Sequence, residues 1–420
     1  NRMGDPIRQR LVRPSRNLKG GIIGLANAGK TSIFNLLSGS CAPTDINVFC
    51  TIDPNYATSV FFDESLDTVA RIYNSKKTVH SYVSLLDTSG LVRGAHMDEG
   101  IGNDFLSLHQ PMDILIHVVR AFVDGGITHV EETVDPARDI ELVNDELIAK
   151  DIEIVNFALS TMEYNVVSGD SGRELLYEFE TLSKVYAVLS GKEYVPKKTG
   201  PGFRRKGNKP VKPGTVPEEA PEPVPGRPVR LHEWDKNQRA IISKYDLLTA
   251  KEMVYIVNIS MRDYLRGESP WMESVQEVTE RYGGGRVIPL SVQFERHYRE
   301  QMQQEGNHFE VYLRANPTHK SAVGPIFGSL YRQLDLIRFY TASSEEAKVW
   351  YIPQGSTAPE AGALIHTSIE RDFICASAMT YDDLVELGSE EKVRRVGKLL
   401  QQGKKYVVND GDILSFQYNK

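Results

Sequence analysis

The chain has 420 residues, 40% of them apolar and 25% charged, which excludes a disordered or collagen-like chain and favours two or three domains. Acidic residues outnumber basic ones 56 to 49, for a net charge of −7, so any contact with nucleic acid has to come from local patches. No apolar run approaches the roughly 18 residues of a membrane span. Arg8, Arg10, Arg13 and Arg16 have no apolar segment behind them, and Cys41, Cys50 and Cys375 show no CxxC pairing. A cytoplasmic protein of a reducing compartment is expected, with no membrane contact, disulfide framework or zinc site.

The first predicted buried strand, Gly21–Leu25, runs into Gly24-Leu25-Ala26-Asn27-Ala28-Gly29-Lys30-Thr31, a GxxxxGKT loop, and then into an amphipathic segment, Ile33–Leu37. Such a loop turns its backbone N–H groups inward around a phosphate, and the following helix adds its positive end. Asn27, Ala28, Gly29, Lys30, Thr31 and Ser32 are its candidate nucleotide contacts. Lys30 would neutralise the β- and γ-phosphates and is the candidate catalytic cation, and the Thr31 hydroxyl is a candidate Mg²⁺ ligand. The Asn27 side-chain oxygen permits a monovalent cation such as K⁺ beside the phosphates, or a hydrogen bond within the loop.

Thr51, in Phe49-Cys50-Thr51-Ile52-Asp53-Pro54-Asn55, either completes the metal shell or is a buried structural threonine. The second buried run, Tyr82–Leu86, ends in Asp87-Thr88-Ser89-Gly90. Asp87 would hold Mg²⁺ through water, and the Gly90 amide would register the γ-phosphate. Leu91 stands where a Ras-type hydrolase carries the glutamine that orients water. A leucine cannot do that, so slow hydrolysis is expected. His96 is the nearest titratable substitute, or else an ordinary loop histidine.

The third run, Ile114–Val119, and the fourth, Met253–Val257, are more than a hundred residues apart, whereas a βαβ unit needs about 30. An insertion therefore lies between them. Ile148, Ile152, Val155, Leu159 and Met162 form one narrow helical stripe, and Leu175, Phe179, Leu182, Tyr186 and Leu189 form another. The proline-dense Val195–Val229 segment is expected at the tip of a helical hairpin, with Leu231–Leu248 as a second candidate arm.

The fourth strand ends in Val257-Asn258-Ile259-Ser260-Met261. A guanine-specific site of this fold has a carboxylate at the position of Met261, which offers guanine no comparable acceptor. The unpaired donors would cost roughly 1–3 kcal/mol. Asn258 and Ile259 are candidate base contacts, with Ser291 and Val292 after the fifth run, Val287–Leu290. ATP is favoured, with GTP or dual specificity the alternative and Asp263 the nearby carboxylate.

The five runs predict a doubly wound, mostly parallel α/β sheet. Lys348–Ile352 and Tyr406–Tyr418 alternate in polarity around a helical Tyr381–Gly388 and a basic Lys392–Leu400, which predicts a small α+β domain. The boundaries drawn are a basic tail over 1–17, a nucleotide-binding domain over 18–143 and 249–334, an inserted helical arm over 144–248 with its proline-rich loop at 195–230, and a last domain over 335–420.

From Leu18 onward the chain resembles the Obg-related YchF subfamily of P-loop NTPases, the Obg-like ATPases. GIIGLANAGKTSIFNLL from Gly21, FCTIDPN from Phe49, DTSGLVRGA from Asp87, EGIGNDFL from Glu99, HVVRAF from His117, VDPARDIELVNDELI from Val134, IHTSIERDFICA from Ile365 and YVVNDGDILSF from Tyr406 carry the resemblance. It implies a P-loop G domain interrupted by an α-helical coiled-coil hairpin and followed by a β-grasp (TGS) domain. It also implies ATP preference, the hydrophobic substitution at Leu91, and ribosomes or translation factors as partners. By position it assigns phosphate and metal roles to Lys30, Thr31, Thr51 and Asp87, and a base contact to Asn258. The family usually has proline and valine where Ala26 and Ala28 stand, glutamate where Met261 stands, and a shorter proline-rich stretch.

Contact with rRNA is expected through the N-terminal arginines and through Lys392, Arg394, Arg395, Lys398, Lys404 and Lys405, with no DNA specificity. A scaffold that binds nucleotide without appreciable turnover is the other functional class these residues allow.

Overall fold

The computed structural model describes residues 11–12, 14–15, 17–40, 42, 53–91, 101–126, 129–168, 172–194, 226–303 and 308–419. The chain begins with β1 (Leu18–Ile23), α1 (Lys30–Ser38), β2 (Asn55–Phe61), α2 (Glu64–Tyr73), β3 (Lys77–Val79), β4 (Ser81–Asp87), α3 (Ile101–Leu108) and β5 (Ile114–Ala121). Three inserted helices follow, α4 (Pro136–Ser168), α5 (Arg173–Ser190) and α6 (Lys236–Ile242). Then come β6 (Glu252–Ile259), α7 (Met261–Arg266), α8 (Met272–Arg281), β7 (Arg286–Leu290), α9 (Val292–Gln303), α10 (His308–Ala315) and α11 (Val323–Gln333). The last part contains β8 (Leu336–Ala342), β9 (Glu346–Pro353), α12 (Ala358–Ile365), α13 (Thr367–Arg371), β10 (Phe373–Thr380), α14 (Tyr381–Leu387), α15 (Glu390–Arg395), β11 (Leu400–Gln402) and β12 (Asp412–Tyr418).

The five apolar runs are the parallel strands of a six-stranded sheet ordered β2-β4-β1-β5-β6-β7. The sixth, β2, pairs antiparallel with β4 at the edge, and its sequence, NYATSVF, with polar residues interspersed and one residue buried, hides it from an apolar-run reading. Central β5 is buried along its whole length. On one face Ile22, Val83, Ile116 and Ile256 pack against Ile33, Phe34, Ile326 and Leu330 of α1 and α11. On the other, Ile23, Leu115, Val119 and Val257 pack against Ile140, Val143 and Leu147 of α4 and Val275 and Val278 of α8. The order of connection reverses at β1, so the loop that leaves it opens into the crevice at the carboxyl ends of the strands.

The arm corrects one expectation. The two predicted stripes face each other: Ile148, Val155, Leu182 and Leu189 are buried together, with Ile152, Leu159, Met162 and Tyr186 against them. The partner of α4 is therefore α5. The proline-rich segment follows α5 in the chain and so does not join these two helices. Its far end returns to the base, where Arg227 N donates to Val188 O at 3.1 Å. Leu231–Leu248 is no second arm either, because only the seven-residue α6 and short turns form there. Trp234, Ile242 and Leu247 close the base of the hairpin instead.

The C-terminal strands form a second sheet ordered β11-β10-β12-β8-β9-β3. Its outermost strand, β3, comes from the excursion between β2 and β4 and pairs parallel with β9. Leu66, Val69 and Ala70 of α2 pack into the same core as Tyr340, Val349, Leu384 and Ile413. Asp63 caps α2 by accepting from Ser65 N at 2.9 Å, and it accepts from Arg338 Nη1 and Tyr340 Oη at 3.0 Å each. In the alternating stretch Tyr406–Tyr418 the turn signals at Asn409–Asp412 precede the strand, with Tyr406 and Asn409 folding back to donate to Asp412 at 2.7 and 2.9 Å.

Candidate nucleotide site

The loop between β1 and α1 has the shape its glycines allow. Gly29 has φ +98°, and a Cβ on it would lie 2.7 Å from Asn258 Nδ2. The loop then enters α1 with no acidic residue in the first turn and no side-chain cap. Its leading N–H groups are therefore offered to an external anion.

Lys30 is buried and donates from Nζ to Leu25 O at 3.1 Å. Burial pulls its ammonium down to about 8, against the charge of Asp87, which pulls the other way. Asp87, at the end of β4, is fully buried. Its Oδ2 accepts from Thr31 Oγ1 at 2.8 Å and from Asn55 Nδ2 at 3.3 Å, whereas Oδ1 has no partner among the described residues. Burial raises its carboxyl above the ordinary range, opposed first by Lys30 and then by the two donors. A hydroxyl and a carboxylate with a spare oxygen are the hard donor set that Mg²⁺ takes, so the residues fit the ion that the fold implies. Asn55 is a contact that sequence reading missed, though it closes the motif that holds Thr51.

The Asp87–Gly90 turn lies on the phosphate loop itself. A Cβ on Gly90 would fall 2.3 Å from Ala26 Cα. Leu91 N donates to Gly24 O at 3.0 Å and Ala26 N to Leu91 O at 3.2 Å. The Leu91 side chain points into the core beside Leu25 and Leu106, so it serves as a packing group. Thr51 and His96 lie outside the described residues, as do Arg8, Arg10, Arg13 and Arg16.

On the base side, Asn258 at the end of β6 donates to Ala28 O at 3.1 Å and accepts from Val292 N at 3.3 Å. It ties the phosphate loop to the start of α9. Ser291 is fully buried and caps that helix, accepting from Phe294 N at 3.4 Å. Ile259 is buried in the core, so the base contact expected of it is left to its backbone. Met261, half-buried, is the first residue of α7, which Ser260 caps through Asp263 N at 3.1 Å.

The fold and this loop define a P-loop NTPase. A family model described as a 50S ribosome-binding GTPase matches residues 19–155, and the model YchF-GTPase_C, described as a protein of unknown function, matches 336–419. The chain is 37% identical over 97% of its length to the Obg-like ATPase 1 of Oryza sativa subsp. japonica, covering 94% of that protein. It is 36% identical over 96% of its length to the Obg-like ATPase 1 of Homo sapiens, covering 93% of that protein. It also matches the solved structure of the Schizosaccharomyces pombe YchF GTPase with a TM-score of 0.71 and 31% identity, over 97% of this chain and 99% of that one. The chain belongs to the YchF/Obg-like family of P-loop NTPases.

Half of the basic cluster of the last domain is paired with carboxylates. Arg394 pairs with Glu390 at 2.8 Å, Arg395 with Glu391 at 2.5 Å and Lys398 with Asp383 at 2.5 Å. Lys392, Lys404 and Lys405 are exposed. Among the described residues no helix is long and apolar enough to cross a membrane.

Proposed function

We propose that this protein binds ATP with Mg²⁺ in the cytoplasm, hydrolyses it slowly, and uses the nucleotide state to set its docking on ribosomes or translation factors. The observation that carries the reading is the buried Asp87 with one oxygen held by Thr31 and the other unpaired among the described residues, beside a buried Lys30 that donates to a loop carbonyl. Lys30 exchanges that carbonyl for phosphate oxygens, Thr31 and Asp87 hold the magnesium, and the α1 N-terminus cradles the phosphates. The ion itself supplies charge neutralisation on the terminal phosphates. Asn27, whose φ is +61°, would place a monovalent cation such as K⁺ beside them.

Adenine preference rests on Met261. With no acceptor at the start of α7, a guanine's donors stay unpaired, whereas adenine has none to satisfy there. The ATPase names of the rice and human relatives support this. The GTPase name of the fission-yeast relative keeps a GTPase as the second reading. Competition between ATP and GTP for the purified protein decides between them, and tighter GTP overturns the first.

Slow turnover follows from Leu91, whose side chain is committed to the core. The ribosomal partner is supported by the name of the model that matches the N-terminal part and by exposed Lys392, Lys404 and Lys405. Single-turnover hydrolysis with and without ribosomes tests it. A rate that stays undetectable in both cases makes the protein a nucleotide-stabilised scaffold instead.

A further inference from the structure

Helix α9 runs alongside α1, and two arginines one turn apart on it reach across. Arg299 donates to the carbonyls of Asn35 and Leu36 near the end of α1. A cation is at home there, against the negative end of the helix. Arg296 donates to Ser32 Oγ at 3.1 Å, in the first turn, where the helix end is positive. Lys30 already occupies that end, and no acidic residue in the turn offsets either cation. No carboxylate among the described residues pairs with Arg296.

Arg296 is exposed and solvated, and beside the positive end of α1 its guanidinium is placed to add a counter-charge to an anion bound there. Its position says which one. Lys30 and Thr31 address the terminal phosphates and the metal, and Ser32 follows them around α1. On the other side, Val292 opens α9 with its N–H on Asn258, at the base end of the site. Arg296, one turn along α9 from Val292, meets α1 at Ser32, the residue after Thr31.

We propose that Arg296 is a nucleotide ligand that binds the α-phosphate. This rests on the reading that the pocket takes a nucleoside polyphosphate. The hydroxyl of Ser32 holds the guanidinium in reach of the ligand, and the planar fork then pairs with the phosphate oxygens. Because a nucleoside diphosphate keeps its α-phosphate, the contact is the same before and after hydrolysis. It adds affinity and leaves the bond-breaking step alone.

Calorimetric titration of the full chain with ATP and with ADP, both with magnesium, tests this. In Arg296→Gln both dissociation constants should rise by the same factor, about tenfold for one charge-assisted contact. Arg296→Lys should recover part of the loss. Single-turnover hydrolysis of pre-bound ATP should stay within about twofold of wild type, as expected of an interaction equal in ground and transition states. The melting temperature of the nucleotide-free variant should be unchanged, which separates a ligand contact from a packing role. Unchanged affinities overturn the proposal, as does a loss confined to ATP. Should wild type itself bind neither nucleotide, the proposed function falls first. Should wild type bind and Arg296→Gln bind equally well, only the role of Arg296 falls.

Discussion

Two buried aspartates show how the pocket differs from the scaffold that carries it. Asp151, at the base of the arm, accepts from Leu248 N at 2.8 Å, Thr249 N at 2.7 Å and Thr249 Oγ1 at 2.6 Å. Both of its oxygens are used. Asp87, at the end of β4, has one oxygen with two donors and another with none. Folding normally leaves few such atoms, because an unpaired buried acceptor costs about 1–3 kcal/mol. The neighbouring Ser89 Oγ is also unpaired, so the deficit gathers where a ligand is expected. His117 Nδ1, on β5, is a further unpaired atom among the described residues, where a buried water would serve. Asp151 is finished by the chain, whereas Asp87 is left for something else to finish.

The largest expected effect falls on the finished site. Asp151→Ala strands three donors and should lower stability by about 3–5 kcal/mol, measured by denaturant unfolding. A loss under about 1 kcal/mol would mean that the arm base tolerates its donors unpaired. The same residue sets a pH dependence. Burial, outweighing its hydrogen bonds, raises the carboxyl from 3.8 to about 6. Between those values the folded chain keeps a proton that the unfolded chain has lost, so this contribution is present at low pH and lost as pH rises. It amounts to about 3 kcal/mol. The stability of wild type relative to Asp151→Asn should fall by that amount from pH 3 to pH 7, and a flat difference would remove burial as the dominant cause.

Next comes the unfinished site. Lys30→Met should weaken nucleotide binding by roughly a hundredfold and leave the nucleotide-free fold intact. Since burial holds the ammonium at about 8, wild-type affinity should also decline as pH rises above that value, and Lys30→Met should lose this slope. A slope that persists in the variant assigns it to another group. Leu91→Gln puts an amide into the core and should cost about 2 kcal/mol without raising the hydrolysis rate. A faster rate would show that residue 91 leaves the core when nucleotide binds. The smallest effect belongs to Asn258→Ala, which unties the phosphate loop from α9 and should weaken nucleotide about tenfold. No change would confine Asn258 to packing.

The legible part of the molecule was the local part. GxxxxGKT after an apolar run, DTSG after the next, and the facing stripes of α4 and α5 all signal through neighbours in sequence. Asn55 was not legible as a contact, because its partner lies 32 residues on. Nor was the turn of the arm, because a proline-rich segment looks like a tip whether it lies at the far end or at the base. The strand β3 was hidden for a third reason. Three residues, Lys77–Val79, carry no apolar run, and they become a strand only because β9 offers an edge.

By itself the sequence determined which segments are the parallel strands of the first sheet, where the phosphate loop sits, and that residues 91 and 261 have side chains unable to orient water or accept from guanine. These follow from residue type and spacing. The tertiary structure decided that Asp87 keeps a bare oxygen, that Leu91 faces the core, and that β3 joins the C-terminal sheet with α2 packed on it. It alone placed Arg296 beside Ser32. Each of these is a contact between distant segments, and burial, the main driving force behind such contacts, is non-directional. Which partners meet is therefore settled by how whole elements pack, and no local pattern carries that information.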